Sequence, residues 1–449
     1  MKLRLKNIGI VKDSAINIDG LTVILGENNS GKTTVGKTLY SIIQAVENLE
    51  ENFIRDKKEY ASEKVVRIIN SLFIRSSGQS KKLLEDYSFF IKKISRCHNL
   101  DDVRTVIEEF KNTILAKRKA EGPMPEDKIV FDISAELLRI LDKLIEDLDS
   151  DPQLTGYANL CISKELRNVF YNQIQPVKAK TEQQSMIELT DGTRDYYRIP
   201  IKNNEVSSKS AAFLNPAFDE CFFITGVDVL NDTSFYHADK EDFVEKYMFD
   251  VISRKDSCDR NTILANKLRR SSNNVFEEIL NNQRIEKINE LIKKAIPDDV
   301  YFVKNKLVVS KHKLDARNLA EGSKMFAILK MLLGTGDICR NTLVILDEPE
   351  NHMHPKWQKI FAEVIVLFIK HLGCKIVLTT HSPTFLLALE TYSKIHGIKK
   401  DFYLSEKKDD QYMVDFTCIN NDTNRAYAAM SEPYLELDVM YGQGLMKRK

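Results

Sequence analysis

A segment rich in glycine and polar residues constrains the fold of this chain more than any other. It reads GENNSGKT over 26–33 and fits the pattern G-x-x-x-x-G-K-[ST]. The short apolar run Leu21–Leu25 precedes it, and from Thr33 onward apolar residues recur at helical spacing. A strand, a glycine-rich turn and a helix in this order point backbone N–H groups and a helix N-terminus at phosphate oxygens. We therefore predict an α/β fold with a phosphate-binding loop.

The residues of this loop have separate predicted roles. Lys32 would neutralise charge on the β- and γ-phosphates, and the hydroxyl of Thr33 would bind Mg²⁺. The alternative is a chance glycine-rich turn before a helix, and the flanking strand and helix patterns argue against it. The predicted nucleotide contacts in this segment are Gly26, Asn28, Asn29, Ser30, Gly31, Lys32, Thr33 and Thr34.

A second motif lies near the other end of the chain. Four apolar residues over 343–346 lead into two adjacent carboxylates, Asp347 and Glu348, which is the Walker B pattern. Asp347 would hold a water ligand of Mg²⁺, and Glu348 would polarise the attacking water as a general base. Taken alone, the segment also fits an ordinary strand that ends in a solvated turn. Its place after the phosphate-binding loop favours the catalytic interpretation.

The next strand of the sequence also ends in polar residues, TTHS over 379–382. The carboxyl ends of parallel strands share one edge of a sheet, where such folds bind ligands. His381 is therefore predicted to lie beside Asp347 and Glu348, within reach of a γ-phosphate. A structural histidine at a strand end is the alternative.

The pattern of apolar residues divides the chain. Three hairpins are predicted: one at the start of the chain with a polar turn at Val11–Ser14, one turning at Asp191-Gly192, and one over 301–310. CFFIT over 221–225 is a further buried strand. We call the part of the fold that carries the phosphate-binding loop and the two carboxylates the head. The predicted divisions are an N-terminal part of the head at 1–49, a helical insertion at 50–184, strands returning to the head at 185–239, a second helical segment at 240–296 and a C-terminal part of the head at 297–449.

Composition narrows the classes of protein. The chain has 43% hydrophobic and 29% charged residues, and its 66 Lys and Arg nearly equal its 65 Asp and Glu. The net charge therefore says nothing for or against a nucleic-acid partner, which only a local basic patch could indicate. Seven scattered cysteines without a CxxC pair predict neither a disulfide framework nor a zinc site. No apolar h-region opens the sequence and no stretch is long enough to span a bilayer. We expect a cytoplasmic protein without a membrane partner.

The chain resembles ABC-type ATPases of the SMC, RecF and OLD group in the order and form of four segments: GENNSGKTT, NLAEGSK, LDEPENHMHP and TTHSP. The likeness covers the ends of the chain and hardly its middle. Within the group, the chain is most similar to antiphage-defence ATPases of Septu systems and of retrons. The resemblance implies an ABC-like P-loop head with a mixed sheet, β-hairpins and a mainly α-helical insertion, and it implies ATP and Mg²⁺ as ligands and a head-to-tail dimer or higher oligomer.

The resemblance also assigns the segment 318–324 as the signature motif, in which Gly322 and Ser323 would face the nucleotide of another subunit. Glu321 departs from the family pattern, because a serine usually stands there and a carboxylate repels phosphate. It must point away, pair with a cation, or accompany slow turnover. A plain helix cap is the alternative for this segment.

Two further segments are interpreted through the family. The loop with His352, His354 and Pro355 would lie near the dimer interface, or simply begin a helix with proline in its first turn. The glutamine that commonly senses Mg²⁺ is not evident, and Asp228 and Asn231 stand in that region instead.

Two functions follow. The first is a slowly hydrolysing regulatory ATPase whose ATP-dependent dimerisation controls a separate effector, such as an HNH endonuclease. The 68 residues after His381 show no acidic cluster on new strands, so no TOPRIM-like nuclease domain is expected there. The second is a stand-alone DNA-binding repair ATPase like RecF. The charged helical stretches would bind a protein or nucleic acid, or form a solvated face.

Overall fold

A computed structural model gives the architecture of two compact units. The head unit comprises Met1–Glu47 and Ala158–Lys449, and the helical unit comprises Asn48–Tyr157. Residues 231–263, which include Asn231 and the start of the predicted second helical segment, lie outside the described residues. The structure describes residues 1–75, 89–90, 93–94, 96–97, 99–120, 128–149, 154–177, 184–192, 194–207, 211–212, 217–230, 264, 267–268, 275–296, 300–303, 306–309, 314–336, 338–407 and 412–446.

A 12-stranded mixed sheet forms the centre of the head unit. Its strands follow the order β6-β5-β4-β1-β2-β15-β14-β3-β13-β12-β8, and β7 pairs with β5. A second sheet has the order β11-β10-β9. The strands are β1 Lys2–Ile8, β2 Val11–Asn17, β3 Leu21–Leu25, β4 Ser185–Asp191, β5 Arg194–Lys202, β6 Glu205–Val206, β7 Ala211–Ala212, β8 Glu220–Ile224, β9 Val300–Val303, β10 Lys306–Val309, β11 Leu314–Asp315, β12 Thr342–Asp347, β13 Lys375–Thr380, β14 Lys400–Lys407 and β15 Val414–Cys418.

One half of the large sheet is parallel. Strand β3 lies between β14 and β13, and β12 lies between β13 and β8, with all of these pairings parallel. All five residues of β3 are buried, which confirms the predicted strand covered on both faces. Thr380 pairs with Leu25, and Asp347 pairs with Thr379. The ends of β3, β12 and β13 therefore meet at one edge of the sheet.

The predicted hairpins form, with one correction. Ile8 pairs with Val11, so the first hairpin turns at Gly9-Ile10, and the predicted turn at Val11–Ser14 is wrong. The chain reverses earlier because Gly9 takes a positive φ of 56°, a conformation that suits glycine in a tight turn. Ser14 is polar in sequence, yet it is buried, and its hydroxyl oxygen accepts a hydrogen bond from Phe416 N–H on β15 (2.8 Å).

Helices of the head unit cover the parallel half of the sheet. Helix α1 approaches it closely, because a β-carbon on Gly36 would lie only 2.9 Å from Ile345 Cγ2 on β12. Among the described residues, no helix is both long and apolar enough to cross a membrane. The helices assigned wholly to this unit are α1 Lys32–Gln44, α6 Val275–Ala295, α7 Glu321–Thr335, α8 Pro355–Leu372, α9 Pro383–His396 and α10 Asn424–Met446.

The helical unit has a core of its own. Its helices are α2 Leu49–Arg75, α3 Leu100–Ala120 and α4 Lys128–Asp149, followed by the start of α5 Leu154–Val169. Phe110 of α3 packs against Phe90, with ring centroids 4.5 Å apart. The buried cluster consists of Ala61, Val65, Phe90, Ile94, Val103, Val106, Ile107, Phe110, Ile114, Leu137, Leu141, Leu144 and Leu148.

The return of the chain to the head differs from the predicted insertion at 50–184. From Ala158 onward the residues group with the head unit. Ile162 and Leu166 are fully buried, and the carbonyl of Ile174 accepts a hydrogen bond from Gly9 N–H (2.7 Å) at the first hairpin. Sequence periodicity alone marks this stretch as helical and does not reveal which core it joins.

Candidate functional site

The phosphate-binding loop has the backbone that its glycines permit. Gly26 has a φ of 154° and Gly31 a φ of 78°, both disfavoured for residues with a β-carbon. A β-carbon on Gly26 would lie 2.6 Å from Ser30 Oγ, so the loop closes tightly there. Ser30 Oγ is buried and, among the described residues, has no hydrogen-bond partner. A concave loop with an unpaired buried hydroxyl fits an oxygen-rich ligand.

Lys32 begins helix α1 and points its ammonium back into the loop. The side chain is 4% exposed, and its Nζ donates to the carbonyls of Gly26 (2.9 Å) and Glu27 (2.7 Å). The same Nζ lies 3.2 Å from Glu348 Oε1. A buried cation therefore joins the loop at one end of the sequence to the carboxylate at the other.

Asp347 ends β12 and is held by two threonines. The hydroxyl of Thr33 lies 2.9 and 3.1 Å from the two carboxylate oxygens, and Thr379 of β13 donates to Oδ1 (2.6 Å). Thr379 Oγ1 also accepts from the N–H of Glu348 (2.9 Å). The hydroxyl and carboxylate oxygens of Thr33 and Asp347 form a pair of the hard donors that Mg²⁺ prefers.

Glu348 follows the strand in a left-handed conformation, with a φ of 49°. Its Oε1 lies 3.4 Å from His381 Nδ1, and its Oε2 accepts from Asn351 Nδ2 (3.2 Å). Burial acts to raise the pKa of Glu348, but the bond from Asn351 and the charges of Lys32 and His381 lower it overall. The carboxylate is thus kept ionised, as a proton acceptor must be.

The segment with the signature-like sequence begins helix α7. Its N-cap is Ala320, which makes no side-chain hydrogen bond. Gly322 lies against the backbone of His352, because a β-carbon added to Gly322 would lie only 3.2 Å from the carbonyl oxygen of His352. Glu321 Oε2 lies 3.2 Å from His352 Nε2. Of the options open from sequence, the structure favours pairing of Glu321 with a cationic partner, here an imidazole when it is protonated.

His354 and Pro355 begin helix α8. His354 is the N-cap, and its Nδ1 accepts from Lys356 N–H (3.2 Å), with Pro355 in the first turn. His354 and Pro355 thus form the helix start with proline in its first turn, which was one of the two alternatives for this segment. In the part of the chain that the structure describes, no three His, Cys, Asp or Glu side chains gather as a metal site.

The site brings together most of the predicted residues but not all. Residues 26–34, Asp347, Glu348 and His381 converge at one edge of the sheet, whereas Gly322 contacts the loop after Glu348. Asp228 lies in a short 3-10 helix after β8. The sequence did not single out Ser405, whose hydroxyl donates to Ser30 O (2.7 Å), because 375 positions separate the two.

Part of the chain matches a known protein family. Residues 167–388 match a family profile described as "AAA domain, putative AbiEii toxin, Type IV TA system". The matched stretch contains Asp347, Glu348 and His381, and it begins after the phosphate-binding loop.

Two curated relatives align with most of the chain. Endonuclease GajA of Bacillus cereus (strain HuB5-5) is 23% identical over 414 residues, covering 84% of this chain and 53% of GajA. The Retron Vc95 probable ATPase of Vibrio cholerae serotype O1 biovar El Tor is 23% identical over 432 residues, covering 86% of this chain and 71% of the relative. The chain thus spans about half the length of GajA.

Solved structures of SMC heads also align with the chain. An SMC head bound to the C-winged helix domain of ScpA has a TM-score of 0.40 and 11% identity, covering 94% of this chain and 98% of that one. The SMC head domain from Thermotoga maritima has a TM-score of 0.36 and 8% identity, covering 93% and 98%. The AAA-domain match over 167–388, the ATPase relative and the converging loop, carboxylates and histidine together support ATPase activity.

Proposed function

We propose that this chain is an ATP-binding and hydrolysing regulatory subunit of a bacterial antiphage defence complex, in which ATP-dependent dimerisation of the head controls a separate effector nuclease. One observation carries the proposal. Lys32, Glu348 and His381 come from distant parts of the sequence, yet Glu348 Oε1 lies 3.2 Å from the lysine Nζ and 3.4 Å from the histidine Nδ1.

Binding of the nucleotide would use the loop at 26–34. Backbone N–H groups at the start of α1 would face the phosphates, and Lys32 would exchange its bonds to the loop carbonyls for phosphate oxygens. The buried, unpaired hydroxyl of Ser30 supports an oxygen-rich ligand here. In this proposal Thr33 and Asp347 would hold Mg²⁺, which supplies charge neutralisation on the phosphates.

Hydrolysis would proceed by in-line attack of water on the γ-phosphate. Glu348 would take the proton from that water, since its carboxylate is kept ionised by its neighbours. His381 would orient the same carboxylate or donate to the γ-phosphate, because it lies on the adjacent strand end. The reaction yields ADP and phosphate, and the substitution of Glu321 for the usual serine suggests slow turnover.

Dimerisation would complete the site. Gly322 and Ser323, at the uncapped N-terminus of α7, would present N–H groups to the nucleotide of a second subunit. The pairing of Glu321 with His352 supports this, since it reduces the repulsion that a free carboxylate would exert on phosphate. His352 belongs to the loop that follows Glu348. Within each chain, this loop would therefore connect the catalytic carboxylate to the segment that contacts the nucleotide of the second subunit.

The effector is expected to be a separate protein. The similarity to a retron ATPase and to the endonuclease GajA supports a role beside or within a nuclease system. The test is co-expression with the product of the neighbouring gene, followed by light scattering and a DNA-cleavage assay with ATP, with ADP and without nucleotide. An ATP-dependent complex whose cleavage changes with nucleotide supports the proposal. Recovery of two monomers that do not interact would contradict it.

The same assay separates this role from its main rivals. A stand-alone DNA-binding ATPase would show hydrolysis stimulated several-fold by DNA, with affinity that falls steeply as salt rises. DNA cleavage by the purified chain alone would instead indicate that it carries a nuclease itself. Either result would replace the regulatory role while leaving the ATPase assignment intact.

A further inference from the structure

Glu350 is a buried carboxylate next to the catalytic loop. It follows Glu348 by two residues and is 2% exposed, more deeply buried than Glu348 itself. A buried carboxyl group costs folding free energy unless its oxygens are hydrogen-bonded. Its partners therefore indicate what the position is for.

Two hydrogen bonds to Glu350 Oε1 come from the strand end that carries His381. The Thr380 hydroxyl donates to this oxygen, and so does the N–H of His381 (3.3 Å). Thr380 Oγ1 also accepts from Ser382 N–H (3.0 Å), so its own proton is directed at Glu350. One carboxyl oxygen thus holds the three residues 380–382 in a fixed arrangement.

A second connection joins the same two loops. Ser382 Oγ donates to Gln358 Oε1 (2.8 Å) on helix α8, and Gln358 Nε2 donates to Met353 O (3.1 Å). Met353 lies in the loop that follows Glu350. The histidine loop is therefore linked to the loop after β12 at two points, of which Glu350 is the one that contacts His381 directly.

We propose that Glu350 is a positioning residue that holds His381 beside Glu348 by accepting hydrogen bonds from the Thr380 hydroxyl and the His381 backbone. The inference rests on the proposed function, in which His381 and Glu348 act together on the γ-phosphate. The relevant geometry is the 3.4 Å contact between His381 Nδ1 and Glu348 Oε1. A displacement of about 1 Å at such a contact lowers the rate by about 10²-fold.

The chemistry of Glu350 sets the choice of variants. Burial raises the pKa of its carboxyl group, with the bond from Thr380 acting in the opposite direction. Its Oε2 is buried and accepts no hydrogen bond from the part of the chain that the structure describes. What the site uses is therefore one acceptor oxygen, Oε1, and glutamine retains such an oxygen at the same place.

The experiment compares Glu350→Gln, Glu350→Ala and Thr380→Val in the full chain. Thr342→Val serves as the matched control, because Thr342 is equally buried on the neighbouring strand but at the opposite edge of the sheet. Each variant is measured for ATP hydrolysis (kcat and KM), for affinity toward a non-hydrolysable ATP analogue, and for the rate at which diethyl pyrocarbonate modifies His381, followed by mass spectrometry of its peptide.

Positioning predicts a split between these measurements. Glu350→Ala and Thr380→Val should lower kcat about 10-fold or more, with KM and analogue affinity changed little, and should raise the modification rate of His381. Glu350→Gln and Thr342→Val should stay close to the parent protein. Thr380→Val tests the same bond if Glu350→Ala fails to fold.

Three outcomes would overturn the proposal: an unchanged kcat in Glu350→Ala and Thr380→Val, a loss in Glu350→Gln as large as in Glu350→Ala, or an equal loss in Thr342→Val. Failure of the proposed function looks different, because the parent chain would then bind the analogue without hydrolysing ATP. In that case the modification rate of His381 still reports whether Glu350 holds its loop, and an unchanged rate in Glu350→Ala contradicts the inference.

Discussion

Two buried lysine–carboxylate clusters of the head unit contrast with an exposed pair of the helical unit. In the head unit, Lys32 is 4% exposed beside Glu348, and Lys267 is 5% exposed between Glu47 (2.7 Å) and Glu220 (2.7 Å). In the helical unit, the paired side chains of Lys111 and Asp142 are 32% and 50% exposed. The head unit thus buries these two lysine–carboxylate clusters, although it also has exposed pairs such as Lys399 with Asp19, whereas the pair of the helical unit lies on the surface over an apolar core.

The difference in burial indicates which charged residues are constrained by function or by a specific arrangement and which are not. Exposed pairs contribute little to stability and tolerate change. Buried pairs are costly to desolvate and strongly destabilising to break, so they persist where a function or a specific arrangement requires them. The buried charges of the head unit should therefore respond sharply to substitution, and the exposed charges of either unit weakly.

The largest expected effect comes from Lys32→Ala. Removing the ammonium leaves Glu348 without its cationic neighbour and deprives the phosphates of theirs, so ATP affinity should fall by about 2–5 kcal/mol, the usual cost of truncating one partner of a buried charge pair at a binding site. Isothermal titration calorimetry with ATP measures the loss. Lys111→Ala is the matched control from the helical unit and should leave the affinity unchanged. Equal losses in the two variants would remove the contrast between the units.

Glu348→Gln should come next. The amide retains the shape of the side chain but cannot accept the proton of water, so hydrolysis should slow by about 10³-fold while ATP binding survives. The trapped nucleotide should also shift the chain from monomer to dimer in light scattering with ATP. If both hydrolysis and dimerisation match the parent protein, Glu348 is not the general base.

Sequence predicts the parallel half of the head unit well. Two short apolar strands that end in Asp347 and in His381 indicate a shared sheet edge, and the pairing of Asp347 with Thr379 places them there. Strand length, apolar pattern and a glycine-rich turn are local signals, so they survive in a single sequence. The same locality explains why Val11–Ser14 was misread as a turn, because nothing local shows that Ser14 bonds to Phe416.

Contacts between residues that lie far apart in the chain could not be predicted from the sequence. Ser405 supports the phosphate-binding loop from β14, and Lys267 meets Glu47 across 220 positions. Such contacts depend on which strands become neighbours, which composition and periodicity do not encode. Glu350 was missed for another reason, since a third acidic residue after Asp347 and Glu348 looks like part of a solvated turn.

Phe110→Ala tests the helical unit as a body with its own core. Phe110 is 1% exposed, and truncating it should destabilise that unit by about 3 kcal/mol, the usual cost of an aromatic cavity. Hydrogen–deuterium exchange should accelerate in α3 and α4, while ATP affinity remains that of the parent protein. Leu115→Ala, an exposed apolar truncation on the same helix, is the control. Exchange that accelerates equally in β3 and β12 would show that the units unfold together.

The smallest effect concerns the buried cluster around Lys267. Burial, with Glu220 acting in the same direction and Lys267 against it, raises the pKa of Glu47 to about 7. A carboxyl whose pKa is higher in the folded than in the unfolded protein contributes stability that is fully present below its unfolded value near 4.5 and is lost as pH rises through about 7. Between pH 5.5 and 8 the parent protein should therefore lose about 2 kcal/mol that Glu47→Gln does not lose.

Thermal unfolding at the two pH values measures this difference. The gap in melting temperature between Glu47→Gln and the parent protein should move in favour of the variant as pH rises, because glutamine carries no charge to desolvate. Glu108→Gln changes an exposed carboxylate of α3 and should run parallel to the parent protein. Parallel curves for Glu47→Gln as well would mean that Lys267 fully compensates both carboxylates, and the buried charges of the head unit would then be no more sensitive to pH than the exposed ones of the helical unit.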